Sequence, residues 1–128
     1  KGEKLNMVLG GGTAIKVKDS SLIAHPAVRR VLVDRAARCG IPYQMEVLPY
    51  GCTDAGAIHL THSGVPSGAL SIPTRYLHSP AEMVDLRDVA ATADLLVAVL
   101  AEPLPEDWLQ GASGRESGDR AGGVSVAG

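Results

Sequence analysis

The sequence predicts an α/β fold in which helices flank a largely parallel sheet. Segments with strand patterns alternate with amphipathic segments, in the order strand, helix, strand, helix, strand, strand, helix. This alternation is typical of helices packed against a mostly parallel sheet. Hydrophobic residues form 45% of the chain and charged residues 20%, which is the composition of a globular protein. The 128 residues suffice for one domain with a modest core.

Four short segments have the composition of strands. In TAIKVK, at 13–18, lysines alternate with Ile15 and Val17, which predicts a strand buried on one face. The segment GALSIP, at 68–73, is apolar on both faces, and we expect it in the middle of the sheet. The other two strands are predicted at 43–48 and 82–85.

Two helices are predicted between these strands. The first begins with Pro26, a favourable first helical residue, and ends before Gly40. Its apolar residues fall on one face, which indicates an amphipathic helix. A shorter helix over 54–63 can be capped by Thr53 or Asp54.

The last predicted helix starts after Asp85 and runs to about Ala101. One stripe of this helix is expected to face the core, and it comprises Val89, Ala93, Leu96, Val97 and Leu100. Beyond Pro105 the chain becomes rich in Gly, Ser and charge, most strongly over 111–128. We therefore predict one folded unit over residues 1–105 and a flexible tail over residues 106–128.

Charge and composition argue against several partners. The net charge is -2, and the basic residues are scattered, so neither a nucleic acid nor a membrane surface is an expected partner. The longest apolar run, at 95–101, is far shorter than the roughly 18 residues of a membrane helix. Cys39 and Cys52 lie in unrelated contexts, which suits free thiols in a reducing cytoplasm.

Three positions in the first half of the chain are candidate sites. The glycines at 10–12 could cradle a phosphate, but they precede a strand, and a turn is the better interpretation. Asp19 ends the first strand, where binding residues collect in α/β sheets, or it is a turn or cap residue. Asp54 could contact a substrate, although a plain helix cap needs no function.

Two groups of histidines could bind a metal. His59 and His62 lie three residues apart, but no third ligand has helical spacing, so a solvated helix face is favoured. In RYLHSP, at 75–80, His78 follows an apolar strand whose end would hold a loop rigidly. A neutral imidazole in such a loop is a good zinc or cobalt ligand, while a hydrogen-bonded loop histidine is the simpler interpretation of the residues alone.

Two longer blocks carry a resemblance to a known family. The segments TDAGAIHL and GVPSGALSIPTRYLHSPAEMVDLRDV, together with the Gly-rich turn followed by Asp19 and Ser20, resemble the TET-type metallo-aminopeptidases. These are glutamyl, leucyl or lysyl aminopeptidases, some of which carry a cellulase label. The similarity covers about residues 8–102, and the second block is long and distinctive.

The resemblance implies a co-catalytic aminopeptidase that takes peptide substrates, binds two divalent ions, zinc or cobalt, and forms self-compartmentalising homo-oligomers. His78, in the pattern RY-x-HSP-x-E, corresponds to the last metal ligand of the family. Arg75 and Ser79 would orient that ligand. Asp19 and Asp54 would support the site or contact substrate, and we expect the His78 ring to face a cleft near one of them.

The family's other ligands, one His, two Asp and one Glu, lie upstream of the Gly-rich turn, and so does its general-base Glu. We expect that glutamate, like those ligands, upstream of Lys1. Residues 1–105 are therefore expected to be the C-terminal part of a catalytic domain, with one ligand of five and no catalytic side chain. On this expectation the 128-residue chain is a fragment or a truncated product.

Three functions remain open. The first is a metal-dependent aminopeptidase, of which this chain represents part. The second is a non-catalytic assembly or binding module built on the same fold. A glycoside hydrolase is less favoured, because its sugar cleft usually needs aromatic platforms, and this chain has no Phe and one Trp.

Overall fold

The computed structural model describes residues 7–110, and the α/β class is confirmed. The elements are β1 (Thr13–Lys18), α1 (Pro26–Cys39), β2 (Tyr43–Val47), α2 (Ala55–Ile58), β3 (Leu70–Ser71), β4 (Thr74–Arg75), β5 (Met83–Val84) and α3 (Leu86–Leu100). Each predicted strand or helix has a counterpart, although α2 is shorter than predicted and ends at Ile58.

The sheet is mixed and has the order β2-β1-β3. β1 pairs with β2 in parallel and with β3 in antiparallel orientation, with Ala14 opposite Ser71 and Ile15 opposite Leu70. The expectation that 68–73 lies in the middle of the sheet is therefore wrong, because β1 occupies that place among residues 7–110. The apolar character of this segment comes instead from helix packing: a Cβ on Gly68 would lie 2.7 Å from the Val28 side chain.

The core lies on one face of the sheet, under both long helices. Ile15, Leu32, Ala36 and Leu95 form its buried centre. α1 and α3 contact each other, and both contact β1, so the two helices share this face. Burial of these aliphatic side chains is the main favourable contribution to folding.

α1 has the predicted boundaries. Pro26 is its first residue, the Nδ1 atom of His25 accepts a hydrogen bond from the Ala27 amide at 3.2 Å, and Gly40 ends it with φ 64°. Arg35 on this helix is buried, and it pairs with Glu102 and donates to the Pro103 carbonyl at 3.2 Å. These contacts tie α1 to the chain that follows α3.

β1 is more deeply buried than its alternating pattern indicates. Lys16, expected on a solvated face, is buried, and its Nζ atom lies 3.0 Å from Glu46 Oε2. Ser71 Oγ donates to the same carboxylate oxygen at 2.8 Å. The expectation of a half-buried strand is therefore wrong, because charge pairing allows the lysine to be buried.

The rotation of α3 also differs from the prediction. Asp85 caps the helix by accepting a hydrogen bond from the Arg87 amide at 2.9 Å. The buried residues are Asp88, Ala91 and Leu95, whereas most of the stripe predicted to face the core is exposed, namely Ala93, Leu96, Val97 and Leu100. The helix is apolar on two sides, and hydrophobic periodicity alone does not distinguish between them.

The chain after α3 continues as turns. The Arg30 guanidinium donates to the carbonyl of Trp108 at 2.9 Å, which brings the start of the predicted tail against α1. Residues 111–128 lie outside the described part of the chain, so the division at 105/106 stays a prediction. None of the helices within 7–110 has the length and apolar character needed to cross a membrane.

Two neighbouring leucines test the rotation of α3. We expect Leu95→Ala to lower the free energy of unfolding by about 2–5 kcal/mol, because Leu95 is fully buried in the core. Leu96→Ala is the matched control, and we expect a loss under about 1 kcal/mol, since its side chain is half exposed. Urea denaturation of both variants measures the difference. A larger loss for Leu96→Ala than for Leu95→Ala would mean that α3 turns Leu96, and not Leu95, toward the core.

Candidate metal-binding hairpin and buried carboxylates

RYLHSP begins with the last residue of β4 and forms the tip of a hairpin. β4 and β5 pair with Thr74 opposite Val84 and Arg75 opposite Met83. At the tip, Tyr76 and His78 have φ values of 58° and 66°. This is a left-handed backbone conformation that residues other than glycine rarely adopt. Such strain collects at functional sites and persists only when neighbouring contacts hold it.

Local contacts fix the backbone around His78. The His78 amide donates to Glu82 Oε1 at 2.5 Å, and the Ser79 amide donates to the Tyr76 carbonyl at 3.0 Å. Ser79 Oγ in turn accepts from the Ala81 amide at 3.3 Å. The side chains of Arg75, His78 and Ser79 are exposed, so the hairpin presents the imidazole to solvent.

The described residues do not form a complete metal centre. Within 7–110, no group of three or more His, Cys, Asp or Glu side chains is arranged to hold an ion. A pair of divalent ions needs several ligands, including negatively charged ones, and His78 supplies one neutral nitrogen. The ligand role of His78 therefore stays a prediction, and these residues alone do not fit a two-ion cluster.

The position of the general base is likewise not tested by the structure. The glutamate is expected upstream of Lys1, and Lys1 itself precedes the described residues, which begin at Met7. The expectation of a glutamate before Lys1 stays a prediction.

Asp19 is buried and acts as a hydrogen-bond acceptor for two segments. Its side chain accepts from the amides of Ser21 and Leu22, both at 2.8 Å, and from Thr53 Oγ1 at 2.9 Å. The Lys16 ammonium lies 3.9 Å away. Burial opposes ionisation of this carboxyl, but hydrogen bonds from Ser21, Thr53 and Leu22 outweigh it and hold the pKa of Asp19 below its usual range. Asp19 thus stabilises its own turn and anchors the loop that contains Thr53.

Asp54 lies in that anchored loop. It occupies the cap position of α2 without making a side-chain cap hydrogen bond, and it is exposed. Ser20 Oγ donates to the Gly51 carbonyl at 2.5 Å, and a Cβ on Gly56 would lie 2.1 Å from Ser21 Oγ. The loop is therefore held closely against the turn after β1, and the capping explanation for Asp54 is not supported.

The strand directions separate the candidate residues into two groups. β3 runs antiparallel to β1, so it ends beside the first residues of β1. The His78 hairpin follows β3 and therefore starts at that end of the sheet. Asp19 and the Thr53 loop lie where β1 ends. Six strand residues span roughly 15–20 Å. This topology does not support the expectation that His78 faces a cleft near Asp19 or Asp54.

Asp88 is the buried carboxylate that the sequence interpretation missed. It is fully buried and accepts hydrogen bonds from the amides of Gly10 and Gly12, both at 2.8 Å. The two glycines have φ values of 78° and 92°, and a Cβ on Gly12 would lie 2.1 Å from the Pro42 carbonyl oxygen. The Gly-rich turn therefore does bind an anion, but the anion belongs to the same chain. A run of amide donors and an acid in the first turn of α3 were the available signals.

Neighbouring contacts extend this junction. Thr92 Oγ1 donates to the Asp88 carbonyl at 2.8 Å and lies 2.9 Å from Thr13 Oγ1. The Arg87 guanidinium hydrogen-bonds to Asp85 and lowers the pKa of that carboxyl to about 2. The start of β1, the start of α3 and the base of the hairpin thus meet at one place.

The histidine pair does not share a helix face. α2 ends at Ile58, so His59 is its C-cap residue and His62 lies beyond it, exposed and with φ 52°. His59 and His62 therefore lack the shared helix face that joint binding of one metal ion would need.

Comparison with known proteins identifies the family. The sequence model of the family described as M42 glutamyl aminopeptidase matches residues 1–95. The chain belongs to this family. The matched range covers most of the chain, and it includes β1, the Gly-rich turn and the His78 hairpin.

Individual relatives agree with this assignment. A protein of Acetivibrio thermocellus whose name places it among the aminopeptidases is 54% identical over 91 residues, which are 71% of this chain and 28% of the relative. The structure of aminopeptidase APDkam598 from Desulfurococcus kamchatkensis has a TM-score of 0.75 and 43% identity, over 86% of this chain and 31% of that one. The Pyrococcus horikoshii TET1 peptidase has a TM-score of 0.68 and 33% identity, over 77% of this chain and 28% of that one. This M42 chain thus spans less than a third of the length of these relatives.

The acid dependence of stability tests the role of Asp19. A carboxyl whose folded-state pKa is lowered stabilises the fold above its unfolded pKa and loses this contribution as pH falls through the folded value. We expect Asp19→Asn to lower the free energy of unfolding at neutral pH by roughly 1–3 kcal/mol. The difference from the parent chain should narrow below about pH 4. Urea denaturation from pH 7 to pH 3 measures it. Asp54→Asn is the exposed control, and a constant difference for Asp19→Asn would contradict the assignment.

The Gly-rich junction gives a second stability prediction. Asp88→Ala leaves the amides of Gly10 and Gly12 without their acceptor, and we expect a loss of roughly 2–5 kcal/mol in the free energy of unfolding. Asp94→Ala, at an exposed position of the same helix, should change it by less than about 0.5 kcal/mol. Thermal unfolding followed by circular dichroism separates the two. Equal losses would show that the carboxylate contributes nothing specific.

Proposed function

We propose that this chain is part of a metal-dependent aminopeptidase that removes N-terminal residues from peptides. The observation that carries the proposal is the family match over residues 1–95, which includes the strained hairpin with its exposed imidazole. A backbone strained at His78 and braced by Glu82 is typical of a position held for a chemical role.

His78 is the proposed metal ligand of this chain. The proposed cofactors are two divalent ions, zinc or cobalt, which would supply Lewis-acid chemistry when bound. Residues 7–110 contribute one ligand, so the carboxylate ligands and the general base would come from parts of the whole protein upstream of Lys1. Arg75 and Ser79, next to His78 in the hairpin, are proposed to orient the loop.

Asp19 and Asp54 are proposed to act where β1 ends, opposite to the end of the sheet that carries the His78 hairpin. Asp19 positions the loop through Thr53, and the exposed Asp54 is the group in that loop available to a cationic side chain of a bound peptide. Their distance from the hairpin favours a supporting or substrate-contacting role for both.

The proposed assembly is a homo-oligomer in the cytoplasm. The similar Pyrococcus horikoshii TET1 peptidase assembles into a tetrahedron or a large octahedral shell, which supports self-association. Cys39 and Cys52 are free and exposed, as suits a reducing compartment.

A non-catalytic assembly or binding module is the second candidate for the 128-residue polypeptide. It is favoured by one observation, that the described residues lack any group of three metal-ligating side chains. The two candidates differ in metal binding, because a complete aminopeptidase centre takes up ions and a lone imidazole does not hold one tightly.

A chimera tests the proposed ligand. The matched segment of the Acetivibrio thermocellus relative would be replaced by the corresponding residues of this chain. We expect the chimera to bind two zinc or cobalt ions and to release p-nitroaniline from aminoacyl-p-nitroanilides. His78→Ala should lose bound metal and lower kcat/KM by roughly 100-fold or more, since metal-ion catalysis supplies several kcal/mol.

His62→Ala in the same chimera is the matched control, because His62 is also an exposed histidine with a left-handed backbone. It should keep both ions and full activity. Metal content measured by mass spectrometry, together with the assay, separates the variants. Unchanged metal content in His78→Ala would refute the ligand assignment.

The 128-residue polypeptide alone should show no aminopeptidase activity in excess zinc or cobalt. One imidazole cannot neutralise two divalent ions, and general acid–base catalysis, typically worth ~10²–10⁴-fold, would lack the glutamate expected before Lys1. The assay is p-nitroaniline release by the purified chain. Metal-dependent turnover that disappears in His78→Ala would show that residues of this polypeptide complete a centre by themselves.

A further inference from the structure

Lys16 is a buried charged side chain that the proposed function does not use. The residue is 2% exposed, and its Nζ atom lies 3.0 Å from Glu46 Oε2 and 3.9 Å from Asp19 Oδ2. Ile15 belongs to the core under the helices, and side chains alternate along a strand, so Lys16 faces the opposite side of the sheet. A buried ion pair is weak evidence for stability, so this lysine points to a role beyond holding the sheet together.

Two carboxylates share the Lys16 ammonium. Glu46 lies opposite Lys16 on β2, and its Oε2 atom also accepts a hydrogen bond from Ser71 Oγ at 2.8 Å. Asp19 lies just beyond the end of β1 and is buried. Both carboxylates are within 3.9 Å of one nitrogen atom. Without the positive charge, two largely buried anions would repel each other at short range.

The two oxygen atoms of Asp19 hold different parts of the chain. Oδ1 accepts hydrogen bonds from the amides of Ser21 and Leu22, both at 2.8 Å, and these fix the turn after β1. Oδ2 accepts from Thr53 Oγ1 at 2.9 Å, and Oδ2 is also the oxygen next to the Lys16 ammonium. The ammonium therefore acts on the oxygen that holds Thr53, whereas the turn depends on the other one.

We propose that Lys16 is a positioning residue that holds the loop of residues 51–58 in place for substrate, through Asp19 and Thr53. This inference rests on the proposed function, in which Asp54 of that loop contacts a cationic side chain of a bound peptide. Lys16 is buried and acts only through its neighbours. Its ammonium attracts Oδ2 of Asp19 and offsets the repulsion from Glu46, so Oδ2 stays beside Thr53.

The mobility of the loop tests this link in the 128-residue chain. Cys39→Ser leaves Cys52, the exposed neighbour of Thr53, as the thiol for a nitroxide spin label. We expect Lys16→Met, which keeps a long apolar stem and removes the charge, to shorten the rotational correlation time of the label by about twofold or more. Lys18→Met, at an exposed position of the same strand, is the matched control and should leave the spectrum unchanged.

Further substitutions separate charge from packing. Glu46→Gln removes the carboxylate that would repel Asp19, so adding it to Lys16→Met should restore most of the parent spectrum. A packing role for Lys16 predicts no such rescue. Thr53→Val cuts the loop from Asp19 while all charges stay, and it should loosen the label as Lys16→Met does. Circular dichroism shows which variants are folded, and Thr53→Val with the rescued double variant decides if Lys16→Met alone does not fold.

Steady-state kinetics of the chimera connect the loop to the substrate. Lys16→Met should raise KM for lysyl-p-nitroanilide by about 10-fold, because only molecules with the loop in place bind the cationic side chain. The KM for leucyl-p-nitroanilide and kcat for both substrates should stay near the parent values. Lys18→Met should change none of these constants.

Each outcome decides one of the two proposals. An unchanged label spectrum in Lys16→Met, or an equal rise of KM for both substrates, overturns the positioning role. A loosened label that Glu46→Gln does not restore overturns it in favour of packing. An inactive parent chimera would count against the proposed aminopeptidase, and the label spectra of the 128-residue chain would still decide whether Lys16 holds the loop.

Discussion

The hydrogen bonds between the Asp88 carboxylate and the amides of Gly10 and Gly12 determine how the rest of the structure is arranged. A fully buried carboxylate is strongly unfavourable unless donors surround it, so α3 must turn this side toward the Gly-rich turn. That rotation places Leu95 in the core and leaves Val97 outside. It also joins the start of α3 to the start of β1, and the hairpin leaves from the same junction.

The local elements could be predicted because their signals are local. Pro26 and Gly40 delimit α1 by backbone preferences that act within a turn, and the structure has the helix where they indicate it. The rotation of α3 could not be predicted in this way. It depends on a contact between residues more than seventy positions apart, and the apolar stripe that hydrophobicity favours is the one left exposed.

Burial of Lys16 shows the same limit for strands. An alternating pattern assigns lysine to solvent, but Glu46 and Ser71, on two other strands, make a buried ammonium acceptable. Which strands meet is a tertiary property, and the position of β3 at the sheet edge was mispredicted for that reason. For the site, periodicity gives no candidate, whereas the family resemblance rests on a long specific motif and proposes His78 as a ligand, an assignment that stays a prediction. The motif sequence does not place His78 relative to Asp19, because the antiparallel direction of β3 depends on its pairing with β1 and not on the sequence of either strand.

The left-handed backbone at Tyr76 and His78 has a consequence for the sequence variation that the hairpin tolerates. Glycine relieves the steric cost at both positions, so a library selected only for folding should become enriched in glycine at each of them. A library selected for hydrolysis of peptides should keep histidine at His78 despite that cost, while Tyr76 remains free to drift. Comparing the two enrichment profiles would show at which of the two positions the strained backbone is kept for chemistry and at which it is not.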